Sequence, residues 1–139
     1  PEKIVAFCKE TRQPVPKKPG QFIRCALESL ALYYRRTLRS MEQLTGRTFE
    51  RLHLVGGGAK NSLLNHFTAN ALQVPVLVGP AEATAAGNVL VQAMALGHIK
   101  SLAEARAIMA QSSTIETIRP QPVSWESAVQ RMEQFFEAN

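Results

Sequence analysis

The sequence predicts an α/β fold in which a short parallel sheet edge is packed by several helices. Two short segments, 49–55 with its apolar run 52–55 and 74–78, are predicted to be strands, and a helical pattern over 61–72 separates them. A strand, helix, strand order favours parallel pairing with a crossover connection. The chain has 139 residues, 45% of them hydrophobic; this is enough for one domain with a core, and we do not divide it further.

Composition and charge argue against several classes of protein. The formal charge is +5, but Lys and Arg are scattered and aromatic residues make up 6% of the chain, so we expect a solvated surface and no nucleic-acid partner. No apolar run reaches the ~18 residues of a membrane helix, and the first residues lack the layout of a signal peptide. We expect a cytoplasmic protein, and a processed or partial one because the chain does not begin with Met.

The first twenty residues are predicted to be irregular, because three prolines between positions 14 and 19 prevent regular structure. Residues 4–8 are apolar enough to be a helix end or an anchored segment. The two cysteines are Cys8 and Cys25. Without clustered His they do not form a zinc site; a cytoplasmic location favours reduced thiols, and a disulfide stays open as the alternative.

Residues 21–45 show the strongest helical pattern of the sequence. Apolar side chains recur every three or four positions, and Gly46 follows where a helix commonly ends. A rod of roughly 37 Å needs a sheet or a second helix to cover such a stripe. The stripe consists of Ile23, Leu27, Leu30, Tyr34, Leu38, Met41 and Leu44.

Three consecutive glycines, Gly56, Gly57 and Gly58, end the first apolar run. We call residues 56–60 the glycine bend. Glycine tolerates a positive φ and lets a ligand approach the backbone closely, and the N-terminus of the following helix favours an anion such as phosphate. The bend is therefore predicted to bind a ligand, with a tight strand-to-helix connection as the alternative. His53, in the preceding strand, is expected to be structural.

The second strand ends at Gly79-Pro80, and a helix is predicted from Thr84 to Gly97. Pro75 cannot donate to a ladder, which places it at a sheet edge or at the start of the strand. The small residues Ala83, Ala85, Ala86 and Gly87 leave one face of the helix bare. Such a face allows close helix packing or a contact with a ligand, and both interpretations stay open.

The rest of the chain predicts two helices separated by an extended segment. Ser101 and Glu104 form a capping box for a helix to about Ala110. Residues 111–123 are predicted to be extended, and Ser124 to cap a last helix. Its apolar stripe, expected to pack against the body of the domain, is Trp125, Val129, Met132 and Phe136.

Two common nucleotide motifs do not fit the glycine bend. A Walker A loop needs Gly-Lys-Ser/Thr, but Gly58 is followed by Ala59-Lys60-Asn61. The Rossmann fingerprint needs glycine where Asn61 stands, and no acidic residue closes the second strand at Val78.

Two segments resemble instead the FGGY-type carbohydrate kinases, which belong to the actin and hexokinase superfamily. Residues 55–65 resemble their adenosine-binding turn, and residues 79–88 resemble the start of a later helix. The similarity runs from about Phe22 to Arg119. It implies the C-terminal part of an actin-like, ribonuclease H-like ATPase domain, and an ATP-dependent kinase of a ketose such as L-rhamnulose, phosphorylated at O1.

The resemblance also implies roles for particular residues. The backbone N–H groups of Gly56, Gly57 and Gly58 are expected to lie against the ribose and phosphates of ATP. Asn61 is expected to hydrogen-bond the adenine, and the segment from Glu82 to Gly87 to form the neighbouring wall. Mg²⁺ is expected to be bound mainly by a part of the enzyme outside this chain.

The base that the family uses is an Asp, whereas the 11 acidic residues of this chain are all Glu. We therefore expect a C-terminal segment that is inactive alone and acts with ATP and a sugar in the whole enzyme. Its uncovered strand edge invites a dimer. The alternative is a free-standing α/β module that binds a protein partner or another nucleotide without catalysis.

Overall fold

The computed structural model describes residues 1–137, which form six α-helices and three short strands. A single 3₁₀ turn, Gly57–Lys60, lies in the glycine bend. In chain order the elements are α1 (Glu2–Glu10), α2 (Pro19–Thr45), β1 (Leu52–Leu54), α3 (Ser62–Leu72), β2 (Val76–Val78), α4 (Ala83–Ala95), α5 (Leu102–Ser112), β3 (Glu116–Ile118) and α6 (Glu126–Glu137).

The sheet has the order β1-β2-β3 and is mixed. β1 and β2 are parallel, as the sequence predicts, with Leu52 opposite Val76. β3 lies antiparallel on the other side of β2, within the segment predicted only to be extended. β2 is therefore the central strand, and Pro75 stands immediately before its first residue. Of the two positions predicted for Pro75, the strand start is correct.

The N-terminal segment corrects one prediction, because residues 2–10 form α1 and are not irregular. Pro14 and Pro16 lie between this helix and α2, whereas Pro19 is the first residue of α2, a position where helices accept proline. The argument from proline therefore holds only for the segment between the two helices. α1 is held by few contacts: Phe7 packs edge-on against the Phe135 ring at 5.2 Å, and Cys8 is buried.

The main core lies between α2 and α3. Ala31 and Leu38 of α2 meet Phe67 and Leu72 of α3 in one buried cluster, and Trp125 packs against it from the start of α6. The predicted helix over 21–45 is confirmed, and Gly46 ends it with φ of 65°. The predicted stripe is covered only in its middle, since a helix of 11 residues (~16 Å) cannot cover one of 27 (~40 Å).

Glu42, near the end of α2, fixes the chain that leads to β1. Its carboxylate accepts hydrogen bonds from the Phe49 backbone N–H at 3.0 Å and from the Arg39 guanidinium. The Phe49 hydrogen bond, followed by that of Arg39, holds the pKa of this carboxyl below its usual range. The Glu42 side chain thus links the last turns of α2 to the segment that leads into the sheet.

α4 and α5 lie apart from that core. α4 has no buried residue, and Val89, Val91 and Leu96 are 63–74% exposed. Of the predicted capping box of α5, the Ser101 half is present, since the Glu104 N–H donates to Ser101 Oγ at 3.1 Å. The Glu104 carboxylate accepts instead from the Lys100 N–H at 2.8 Å, one residue before the N-cap. No helix among residues 1–137 combines the length and apolar character needed to cross a bilayer.

Candidate functional site

The site is built where the parallel strands β1 and β2 end side by side. The Gly79 N–H donates to the Leu54 carbonyl at 2.7 Å, and the Gly56 N–H donates to the Pro80 carbonyl at 3.2 Å. A Cβ on Gly79 would come within 3.1 Å of the Val55 side chain. The glycine bend and the segment leading into α4 are therefore adjacent, as expected for the carboxyl ends of parallel strands.

Gly56 has a structural reason to be glycine. Its φ of 84° and ψ of −171° fall in a backbone region that other residues essentially do not occupy. Because its N–H is bonded to Pro80, this group is not free to bind phosphate. The expectation that Gly56 offers its N–H to ATP therefore requires this hydrogen bond to open, and it stays a prediction.

Gly57 and Gly58 differ from Gly56 in backbone conformation and in exposure. Neither has a positive φ, both are exposed, and a Cβ at either would meet nothing within 4 Å. The first N–H group that donates a hydrogen bond within the 3₁₀ turn is that of Ala59. The N–H groups of Gly57 and Gly58 come before it, at the start of the turn, where such groups have no partner within the turn. The folded chain itself does not require glycine at these two positions, and it leaves their backbone open to an approaching ligand.

Asn61 follows the bend and is the N-cap of α3. Its side-chain oxygen accepts a hydrogen bond from the Leu64 N–H at 3.1 Å, which satisfies one of the free donors at the helix start. The side chain is exposed. Its carboxamide nitrogen carries two further donors. The oxygen can therefore cap the helix while the N–H groups contact a purine.

Ala59 anchors the bend to the protein interior. It is buried with Val76 and Ile118 in a second apolar cluster beneath the sheet, whereas its neighbours Gly58 and Lys60 are exposed. The bend therefore has one anchored residue and an open outer surface. This arrangement fixes the position of a backbone that a ligand can reach.

Glu82 and Gly87 lie at the start of α4. Glu82 is exposed and is the N-cap residue, without a capping hydrogen bond from its side chain. Gly87 is half-buried, and a Cβ there would meet no atom within 4 Å. Since glycine inside a helix costs about 1 kcal/mol relative to alanine, the packing of this chain does not explain its presence.

Other features lie away from the bend. A groove of about 1140 Å³ runs between α1, α2 and α6 and includes none of the predicted site residues. His53 is exposed on β1. Within residues 1–137, no three His, Cys, Asp or Glu side chains are grouped so that they could hold a metal ion.

Sequence reasoning missed one residue of the site, Asn65 in the second turn of α3. It is 2% exposed, and its amide nitrogen donates to the Ala59 carbonyl at 2.8 Å. A signal for it was present, because a polar residue stands four positions after Asn61 on the buried side of an apolar helix.

Comparisons with known proteins identify the family. The model of the C-terminal domain of the FGGY family of carbohydrate kinases matches residues 5–96. A rhamnulokinase of Bacteroides thetaiotaomicron is 47% identical over 126 residues, which are 90% of this chain and 26% of the relative.

A solved structure gives the same fold. The xylulose kinase of Rhodospirillum rubrum superimposes with a TM-score of 0.65 and 23% identity, over 90% of this chain and 25% of that one. The chain thus spans about a quarter of the length of each relative. The match over residues 5–96 covers most of the chain, and the chain belongs to the FGGY family of carbohydrate kinases, whose C-terminal domain it carries.

Proposed function

We propose that the glycine bend and the start of α4 form the adenosine side of an ATP site in a ketose kinase. The observation that carries this proposal is the state of Gly57 and Gly58: neither the backbone angles nor the packing of the chain requires glycine there. A ligand that lies directly against the main chain supplies the missing reason.

The charges and donors around the bend fit a nucleotide. The N-terminus of α3, an 11-residue helix, supplies a positive dipole end next to the open N–H groups of the bend. The carboxamide of Asn61 would contact the adenine, and Glu82 would suit the ribose hydroxyls, because a carboxylate accepts hydrogen bonds and repels phosphate. Gly87 would keep the second wall free of side chains.

We propose L-rhamnulose as the ketose and a cytoplasmic location. The relative from Bacteroides thetaiotaomicron is a rhamnulokinase at 47% identity, which favours that substrate. The sugar pocket and catalytic base would lie outside this chain, whose acidic residues are all Glu. Bound Mg²⁺ would neutralise phosphate charge during transfer, and we assign its ligands to that other part. The open edge at β1 and the apolar face of α4 would allow a dimer.

Calorimetric titration of the chain with ADP and with ATP, with and without Mg²⁺, tests this proposal. We expect weak binding of both nucleotides, little changed by Mg²⁺, and no phosphorylation of L-rhamnulose by the chain alone. Absence of nucleotide binding at millimolar concentrations would refute the adenosine site. Robust turnover by the chain alone would refute the assignment of the base to another part of the enzyme.

A further inference from the structure

Asn65 is a buried polar side chain directly behind the glycine bend. Together with Thr68 and Asn70 it makes up the buried polar side chains found among residues 1–137. Its Nδ2 donates to the Ala59 carbonyl at 2.8 Å, and the bond links the second turn of α3 to the 3₁₀ turn. Ala59 follows Gly58 directly, so this bond acts on the backbone that Gly57 and Gly58 expose.

The other end of the amide has no partner. Oδ1 of Asn65 is fully buried and accepts no hydrogen bond. Flipping the amide would not help, because it would turn the oxygen toward the Ala59 carbonyl, which is also an acceptor. An unpaired buried carbonyl is unfavourable, and a leucine of similar size would avoid it. The contact that asparagine makes and leucine cannot make is the hydrogen bond to Ala59.

We propose that Asn65 is a positioning residue, which holds the glycine bend in its nucleotide-binding shape through the Ala59 carbonyl. This inference rests on the proposed function for its ligand, but the hydrogen bond itself is independent of that function. Without the bond, Ala59 remains packed among apolar side chains, but its carbonyl is free to rotate. The backbone of Gly57 and Gly58 then samples shapes that do not match the ligand.

The matched control is Asn70, which is also a buried asparagine of α3. Its Oδ1 accepts a hydrogen bond from the Gln121 N–H at 2.7 Å, beyond β3 and away from the bend. Asn65→Leu and Asn70→Leu thus make the same chemical change on one helix. Only the first removes a contact with the bend.

Hydrogen exchange and ADP titration of both variants test the proposal. In Asn65→Leu we expect the amides of residues 59–61 to exchange at least tenfold faster, and ADP to bind about five- to tenfold more weakly. In Asn70→Leu the amide of Gln121 should exchange faster, with residues 59–61 and ADP affinity unchanged. Unchanged exchange and ADP affinity in Asn65→Leu would overturn the proposal.

Asn65→Asp gives a second test, which is specific for the hydrogen bond to the Ala59 carbonyl. An ionised carboxylate cannot donate to the Ala59 carbonyl, whereas the protonated acid can. Protection of residues 59–61, relative to the unchanged chain at the same pH, should therefore recover as the pH falls toward and below the pKa of the new carboxyl. No recovery would contradict the proposal, and the variant serves if Asn65→Leu does not fold.

The two proposals can fail separately. If the unchanged chain binds no ADP while Asn65→Leu still loosens residues 59–61, the adenosine site is refuted and the positioning of the bend is supported. If the unchanged chain binds ADP and Asn65→Leu changes neither hydrogen exchange nor ADP affinity, the adenosine site is supported and the positioning role of Asn65 is refuted.

Discussion

At the scale of single residues, three adjacent glycines have different physical roles. Gly56 adopts backbone angles that only glycine tolerates, whereas Gly57 and Gly58 lie in open space with ordinary φ. The sequence shows three identical letters, from which a turn could be predicted but not this division; the ligand stays a prediction. The conformation of Gly56 accompanies its hydrogen bond to the Pro80 carbonyl, which forms only in the folded chain.

Gly57→Val and Gly56→Val should therefore behave in opposite ways. A Cβ at position 57 would meet no atom within 4 Å beyond its own chain neighbours, so we expect a stability change within about 0.5 kcal/mol and at least tenfold weaker ADP binding. Valine at position 56 is strained and should cost about 1–3 kcal/mol. Thermal unfolding and ADP titration measure both effects, and undiminished ADP affinity in Gly57→Val would contradict the site.

Cys25 provides a prediction of pH dependence. Burial raises the pKa of this thiol most, and the nearby Cys8 raises it further, while the hydrogen bond with the Ser29 hydroxyl lowers it. Because the thiolate is the reactive form, alkylation of Cys25 should be slow at neutral pH and reach half its maximal rate above the usual pKa of a thiol. Both cysteines are free in the structure.

Following iodoacetamide labelling from pH 7 to 10.5 by mass spectrometry measures this rate for each cysteine. In Cys8→Ser the reaction of Cys25 should shift to lower pH, since one cause of the raised pKa is gone. If labelling of Cys25 is half-maximal at a pH equal to or below the ordinary pKa of a thiol, burial and Cys8 do not raise the pKa of Cys25.

At the scale of elements, periodicity predicts the helices well and their burial poorly. The bounds of α2 and the cap of α5 agree with the sequence, because caps and apolar spacing are local. Leu44 belongs to the predicted stripe but is 86% exposed, since α3 is too short to reach it. β3 is three residues long and its sequence shows no alternation of apolar and polar residues. Its pairing with β2 therefore depends on how the segments before and after β3 place it.

Arg35 joins three helices, and its removal should lower stability. Nη1 donates to the Ala71 carbonyl at 3.0 Å, at the C-terminal end of α3, and Nη2 lies 3.8 Å from the Glu126 carboxylate of α6. A positively charged donor at the C-terminal end of a helix interacts favourably with the helix dipole. Arg35→Ala should therefore lower the free energy of unfolding by about 1–3 kcal/mol.

Arg51→Ala is the control for that substitution. Arg51 pairs only loosely with its neighbour Glu50, at 3.9 Å, and both side chains are exposed, so the change should stay within about 0.5 kcal/mol. Urea unfolding followed by circular dichroism compares the two variants. Equal stability losses would mean that Arg35 is an ordinary surface charge.

At the scale of the whole molecule, the chain spans about a quarter of the relatives it matches. The sequence predicted the α/β class, the parallel pair and the family, because these depend on local patterns and on two motifs. It could not predict which faces the chain leaves open. α4 illustrates this, since its composition suits a buried helix, yet it has no buried residue here.

The exposed apolar side chains of α4 lead to a prediction about association of the isolated chain. Val89 and Val91 on α4 are 64% and 63% exposed, and burying such side chains is favourable, while a net charge of +5 opposes contact between copies. We expect self-association that strengthens with salt, because salt screens the repulsion.

Val91→Lys should weaken this self-association, whereas Leu44→Lys, the same gain of charge on a distant exposed residue, should leave it nearly unchanged. Sedimentation equilibrium at low and high salt measures this, and a chain that stays monomeric at high salt and high concentration, or two variants with equal effects, would show that α4 is not the adhesive surface.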